Sequence, residues 1–220
     1  ISEVLDLSRI EAGQMEVQNE PFAVTEAISE LASEAAPLME MNANRFEVAC
    51  PDDIGALLSD KAKFKHSVLC LLSNAAKLTH NGVVTLSVSN AIARGAEGIR
   101  VQVSDTGIGM TSEQAQHALD PFTHAEATAA RRQGGTGLCL AIAKRLSQLL
   151  GGEVMHHSGT TQGTTFSLFI PATCGKAGEA AGMRGTCADG LEVAPEGSHT
   201  VLVIDDDTRV QEMIGEWLSK

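Results

Sequence analysis

Two stretches of alternating apolar and polar residues constrain the fold more than any other feature of this 220-residue sequence. A period of two places one set of side chains on one face of a β-strand, so each stretch predicts a strand with one buried face. The segment between them, residues 90–98, is polar, which predicts a hairpin with a loop. The apolar positions of the two strands are Val84, Leu86, Val88, Ile99, Val101 and Val103.

Helical periodicity flanks the hairpin on both sides. Residues 60–79 predict a helix with Asp60 as its N-cap, and residues 136–150 predict another that ends at Gly151. Helices interspersed with strands predict a two-layer α/β sandwich, with helices on one face of a mixed sheet. The other predicted elements are helices over residues 1–14 and 22–42, a short helix from the capping box at Thr111, and strands over residues 45–50, 153–158 and 164–170.

Composition excludes several functional classes. The formal charge of −12 and an aromatic content of 3% argue against nucleic-acid binding, which needs basic footprints or stacking platforms. No apolar run approaches the roughly 20 residues that span a bilayer, and no secretory signal opens the sequence. Five cysteines without a C-x-x-C pair disfavour a disulfide framework or a zinc site. We therefore expect a cytoplasmic location, with no membrane segment.

Asp105 has the same strand parity as the apolar residues Ile99, Val101 and Val103, so its carboxylate is predicted to point to the buried face. A buried charge needs a partner. The glycines of the segment 105–109 would let a ligand approach the backbone closely. The alternative is an ordinary turn in which Asp105 caps its own backbone.

A polar stripe on helix 60–79 lies roughly 130° from the apolar face, taking about 100° per residue. Asn74 is its best candidate ligand, because magnesium bound to phosphates takes only one or two protein oxygens. The alternative is a solvated helix face. The stripe consists of Lys63, His66, Cys70, Asn74 and Lys77.

Residues 120–135 form a long polar loop typical of lids, and Gly134–Leu138 then leads into helix 136–150. The free amides and positive dipole end of a helix start can bind phosphate. Arg131 and Arg132 lie in the loop, either as phosphate contacts or as two solvated arginines. No Walker A motif occurs, so the order of these features predicts a nucleotide site of another kind.

Residues 60–171 resemble the ATP-binding catalytic domain of sensor histidine kinases, in the ATPase superfamily shared with gyrase, the heat-shock chaperone and the mismatch-repair ATPases. The resemblance implies a Bergerat-type fold that binds ATP and Mg²⁺. It rests on five motifs in the family's order: an N box at Leu71–Lys77, a first glycine box at Asp105–Gly109, an F box at Asp120–Phe122, a second glycine box at Arg131–Leu140, and a last glycine box at Gly163–Phe166.

The resemblance also implies roles for single residues. Asn74 would bind magnesium, Lys77 would face the phosphates, Asp105 would accept a hydrogen bond from the adenine amino group, and Arg131 would reach the γ-phosphate. Lys77 and Arg131 are thus the catalytic candidates. The other residues expected at the nucleotide are Gly107, Gly109, Gly135, Gly137, Leu138 and Thr164.

By the same resemblance, the parent protein is a hybrid histidine kinase, expected to be a homodimer. Its partners would be a phosphotransfer histidine hairpin and a receiver domain of the same or a partner chain. Asp205 and Asp206 would hold the receiver's magnesium. The expected organisation is the end of the hairpin at 1–14, the catalytic domain at 20–172, a flexible linker at 173–198 and a truncated receiver at 199–220.

Three residues depart from the family pattern. Cys70 stands where the family usually has Asn, Leu78 replaces an aromatic residue, and Cys139 replaces the third glycine of the second box. A thiol is a poor general base, which disfavours ATP hydrolysis. The predicted function is transfer of the γ-phosphoryl group of Mg-ATP to a histidine outside this sequence. A degenerate nucleotide-binding module and an ATP hydrolase are the alternatives.

Overall fold

The computed structural model describes residues 2–121, 137–158 and 163–173, which form five helices and seven strands. The sequence-predicted receiver, Arg131, Gly135 and the linker after Thr173 lie outside these ranges. In chain order the elements are α1 (Ser2–Glu11), β1 (Glu20–Ala23), α2 (Val24–Glu40), β2 (Arg45–Ala49), β3 (Ala56–Ser59), α3 (Lys61–Leu78), β4 (Val83–Ala93), β5 (Ala96–Asp105), α4 (Ser112–His117), α5 (Cys139–Leu149), β6 (Glu153–Ser158) and β7 (Thr164–Pro171).

Five strands form a mixed sheet in the order β2-β4-β5-β7-β6. Strand β2 runs parallel to β4, and the other neighbouring pairs are antiparallel. Helices α3 and α5 contact the sheet on the face where the alternating apolar residues are buried. The opposite parity carries polar side chains such as Ser87, Gln102 and Ser167. The predicted sandwich is confirmed.

Helix α3 joins this core through one apolar face. Burial of that face contributes more to the stability of a helix than its intrinsic propensity does. The predicted N-cap is also confirmed, because Oδ1 of Asp60 accepts a 3.0 Å hydrogen bond from the N–H of Lys63. The residues of the buried face, each no more than 1% exposed, are Phe64, Val68, Leu71, Leu72 and Ala75.

The predicted hairpin is present but longer than expected. Strands β4 and β5 pair as far as Ala93 and Ala96, so most of the polar segment 90–98 forms strand rather than loop. The turn consists of Arg94 and Gly95, whose φ angles of 52° and 76° lie in the left-handed region that type I′ hairpin turns need at both central residues. Backbone pairing therefore continues where the side chains no longer alternate.

Two short strands have no counterpart in the sequence-based prediction. Strand β1 pairs antiparallel with β3 in a separate two-stranded sheet. Phe22, expected in the second helix, lies in β1, and its ring centroid is 5.6 Å from that of Phe64. The N–H of Leu58 in β3 donates to the carbonyl of Ala172 at 2.9 Å, and Leu58 forms an isolated parallel β-bridge with Thr173. The residues that follow β7 therefore connect the two sheets.

The helix predicted near the start of the sequence is α1. Leu7 and Ile10 are buried, and the helix contacts α5. Val4 and Leu5, on another side of α1, are 49% and 54% exposed. In the three described ranges, no helix combines the length and the apolar character needed to cross a membrane.

Candidate functional site

Asp105 ends β5 at the centre of the sheet, between Val84 of β4 and Thr164 of β7. It is 6% exposed, which confirms the prediction that it points to the buried face. Its Oδ1 accepts hydrogen bonds from the N–H groups of Gly107 at 2.9 Å and Thr164 at 3.3 Å. Its Oδ2 is buried and has no hydrogen-bond partner among the described residues.

The charge state of Asp105 reflects competing influences. Burial raises the pKa of its carboxyl above the ordinary value, and the N–H groups of Gly107 and Thr164 oppose this by stabilising the carboxylate. The Thr79 hydroxyl lies near enough to favour the carboxylate as well, although its geometry falls short of a hydrogen bond.

Like Asp105, Thr79 carries a buried oxygen that has no hydrogen-bond partner among the described residues. Thr79 is 1% exposed, and its Oγ1 also lacks a hydrogen-bond partner within the described ranges. A buried polar atom without a partner costs about 1–3 kcal/mol. A ligand that carries a hydrogen-bond donor to this point would recover that free energy, so the pair is suited to read a polar group.

The loop after β5 passes very close to the end of α3. A Cβ added at Gly107 would lie 2.4 Å from the carbonyl oxygen of Leu78 and 2.9 Å from Oδ1 of Asp105. Only glycine fits between these backbones. The predicted glycine at 109 lies in the same loop, so the first glycine box and the N box meet at the carboxyl end of β5.

The predicted polar stripe on α3 does not form one functional surface. Nζ of Lys63 binds Oδ2 of Asp60 at 2.6 Å, and His66 lines a groove with α2. Cys70 is 5% exposed. Asn74 and Lys77 are partly exposed on the last turns of α3, which end beside Gly107 and Thr79.

The start of α5 is the second region where the sequence predicts contacts with a nucleotide. Gly137 and Leu138 precede the helix as predicted, but the Leu138 side chain is fully buried in the core and provides no cap. Leu138 can therefore meet a ligand only through its main chain. Arg131 and Gly135, predicted for the same region, lie outside the described residues.

The predicted metal ligands do not belong to a larger cluster of metal-binding side chains within the described ranges. Among the described residues no group of three His, Cys, Asp or Glu side chains comes together as a metal site. Asp205 and Asp206, predicted for a second magnesium site, lie outside the described ranges.

Residues 59–173 match the family model described as histidine kinase-, DNA gyrase B- and HSP90-like ATPase. The chain belongs to this ATPase family. Residues 59–173 are therefore an ATP-binding catalytic domain of the histidine-kinase type, with the mixed α/β sandwich predicted from the sequence.

Relatives of this ATPase domain are sensor kinases. The chain is 33% identical over 174 residues to the autoinducer 2 sensor kinase/phosphatase LuxQ of Vibrio parahaemolyticus, covering 78% of this chain and 20% of that protein. It is 31% identical over 176 residues to the signal transduction histidine-protein kinase BarA of Escherichia coli, covering 77% and 19%. The chain thus spans about a fifth of the length of these curated relatives.

A solved structure gives the same fold. Full-length ShkA in complex with AMPPNP matches with a TM-score of 0.66 and 27% identity, covering 78% of this chain and 35% of that chain.

Two residues that support the ATPase site were missed by sequence reasoning. Asn44, 9% exposed, donates to the carbonyls of Ala76 and Thr79 at 3.1 and 2.8 Å and accepts the N–H of Gly82 at 3.2 Å. Ser158 is hydrogen-bonded to Met110, in the loop after Asp105, and to Gly163 and Thr164, beside Asp105 at the start of β7. The partners of Asn44 and the Met110 partner of Ser158 lie more than 30 residues away in the sequence, so these contacts have no local signal.

Proposed function

We propose that this domain binds Mg-ATP and transfers its γ-phosphoryl group to a histidine outside the sequence. The observation that carries the proposal is the buried Oδ2 of Asp105, which has no hydrogen-bond partner among the described residues. The exocyclic amino group of adenine is a hydrogen-bond donor and could supply the partner that this oxygen lacks. The family membership supports the assignment to ATP.

Asp105 would orient the base. Its Oδ1 is already held by two backbone N–H groups, which leaves Oδ2 to accept from the exocyclic amino group. A fixed acceptor such as this one favours a base that carries an amino group over an analogue that lacks it. The loop of Gly107 and Gly109 would allow the base to lie close to the backbone.

Asn74, Lys77 and Arg131 would act at the phosphate end. The Asn74 side-chain oxygen would hold the magnesium, and Lys77 would contact the phosphates. Arg131 would contact the γ-phosphate, and Gly135, Gly137 and Leu138 would line the nucleotide. Magnesium would supply positive charge that neutralises the phosphates, and the protein would contribute mainly positioning and electrostatic stabilisation.

The test is a phosphotransfer assay. The chain is incubated with Mg²⁺ and γ-labelled ATP, together with a separately supplied phosphotransfer hairpin of the parent protein. Acid-labile, base-stable label on the hairpin histidine is the expected result. Absence of Mg-ATP binding would overturn the proposal.

A nucleotide-binding module without kinase activity is the second candidate, and the buried thiol of Cys70 favours it. A thiol hydrogen-bonds more weakly than an amide, and at neutral pH it is a poorer general base than a carboxylate. Tight Mg-ATP binding without phosphohistidine would support this candidate. Hydrolysis by a general base at position 70 is disfavoured for the same reason.

The rest of the parent protein is proposed from sequence alone. Residues 1–14 would end a dimerisation and phosphotransfer hairpin, and residues 199–220 would begin a receiver with Asp205 and Asp206 as magnesium ligands. The parent protein would then be a homodimeric hybrid histidine kinase, and this catalytic domain would be cytoplasmic. Detection of a phosphorylated aspartate in the full-length receiver tests this organisation.

A further inference from the structure

Ser158, the last residue of β6, joins three segments through one hydroxyl group. Its Oγ lies 2.8 Å from the N–H of Met110, 3.2 Å from the carbonyl oxygen of Gly163 and 2.9 Å from Oγ1 of Thr164. A serine hydroxyl has one donor and two acceptor positions. All three are used if Ser158 donates to Gly163 and accepts from the Met110 N–H and the Thr164 hydroxyl.

The partners of Ser158 belong to the segments that hold Asp105. Met110, 5% exposed, ends the loop that begins at Asp105 and contains the N–H donor Gly107. Thr164 provides the second N–H donor to Oδ1. Ser158 therefore ties together the two chain segments whose N–H groups fix one oxygen of the Asp105 carboxylate.

We propose that Ser158 is a positioning residue for nucleotide binding, which holds Met110 and Thr164 together so that Oδ2 of Asp105 stays directed at the base. This inference rests on the proposed function of Asp105. Ser158 would act through Asp105 and would not touch the nucleotide. The hydrogen bond from the Thr164 N–H to Oδ1 is 3.3 Å long, against 2.9 Å for the bond from Gly107. If Ser158 were removed, the longer bond from Thr164 would be the first to lengthen further.

A base-discrimination experiment separates this role from a general structural one. Affinities of the whole chain for Mg-ATP and for purine riboside triphosphate, which lacks the amino group, are measured by calorimetry. Ser158→Ala is expected to weaken ATP binding about 3- to 10-fold, the equivalent of one ordinary protein hydrogen bond. Binding of the analogue should change much less, so the preference for ATP should fall.

Two variants serve as controls. Ser104→Ala removes a 2.9 Å hydroxyl contact with Thr165, one residue away from Asp105 and Thr164 on the other face of the sheet. It should leave the preference for ATP unchanged. Ser158→Thr keeps the hydroxyl and should retain most of the preference.

The outcomes are distinct. If the unmodified chain binds ATP and prefers it to the analogue, an unchanged preference in a folded Ser158→Ala variant overturns the inference alone. Equal weakening of both nucleotides also overturns it, because it indicates a general structural role. If the unmodified chain binds neither nucleotide, the proposed function itself fails.

Discussion

The N–H of Thr164 donates a hydrogen bond to Oδ1 of Asp105, its cross-strand partner on β5. Together with the N–H of Gly107, it occupies one carboxylate oxygen and leaves the other buried without a partner among the described residues. The sheet register thus fixes which atom of Asp105 can meet a ligand. The predictions below follow from that arrangement and from the contacts that maintain it.

Replacement of Gly107 by alanine should disrupt the site. The added Cβ would lie 2.4 Å from the Leu78 carbonyl oxygen, so the loop or the end of α3 must move. We expect a loss of about 1–3 kcal/mol in unfolding free energy and a strong loss of Mg-ATP binding. Urea denaturation and calorimetry measure the two effects.

Gly95→Ala is the matched control for Gly107→Ala. A Cβ added at Gly95 would have no atom within 4 Å, and the φ of this residue is 76°. Alanine there should lower the unfolding free energy by about 1–2 kcal/mol, through backbone strain alone. Mg-ATP affinity should be unchanged. Normal ATP binding by Gly107→Ala would show that the loop does not need a glycine there.

Asn44 should be important for the end of α3. Asn44→Ala removes the side-chain donor to the Thr79 carbonyl and the acceptor for the Gly82 N–H, while the Ala76 carbonyl keeps its 2.8 Å bond from Nδ2 of Asn42. We expect a loss of about 2–3 kcal/mol in unfolding free energy, measured by urea denaturation. Ser33→Ala, at an exposed hydroxyl, should change it by less than about 0.5 kcal/mol. Equal stabilities of the two variants would contradict the prediction.

Asp60 should make stability depend on acid pH. Burial alone would raise its pKa, but the Lys63 ammonium and the N–H groups of Gln18 and Lys63 hold the pKa of Asp60 below the ordinary value. The stabilisation is therefore present above a pH of about 4 and is lost as the pH falls through the lowered pKa.

Asp60→Asn isolates this charge, because asparagine is also a good N-cap. The variant should be about 1–2 kcal/mol less stable at neutral pH and should lose less stability than the unmodified chain on acidification. Chemical denaturation at several pH values measures this difference. Asp53→Asn, at an exposed carboxylate, serves as the control. Parallel pH curves for Asp60→Asn and the unmodified chain would refute the assignment.

Asn74→Ala should remove the magnesium dependence of ATP binding. With Mg²⁺ present, the affinity of the variant should fall about tenfold, towards the affinity of the unmodified chain in a chelator. Titrations with and without Mg²⁺ measure this. An undiminished magnesium effect in the variant would exclude Asn74 as the ligand.

The orientation of Asp105 was predictable because strand parity is strict. Once Val101 and Val103 were placed on the buried face, Asp105 had to share it. The same regularity made the core of α3 and the helix over residues 136–150 predictable. These features depend on periods of two and 3.6 residues, which a sequence displays directly.

Features that depend on distant pairing were not predictable. Strands β1 and β3 have four residues each, too few for a visible alternation, and each needs the other to form. The roles of Asn44 and Ser158 depend on partners more than 30 residues away, except Gly163 and Thr164. The hairpin exceeded its predicted length because backbone pairing does not require apolar side chains.

The most direct test of the nucleotide assignment is the Mg-ATP affinity of Asp105→Asn. Asparagine can keep its oxygen on the N–H groups of Gly107 and Thr164, which places its own N–H₂ where Oδ2 was. A donor then meets the adenine donor, so affinity should fall at least about tenfold, while the stability of the free domain stays equal or rises because a neutral amide is easier to bury. Equal affinity for the variant and the unmodified chain would contradict the assignment of Asp105 to adenine.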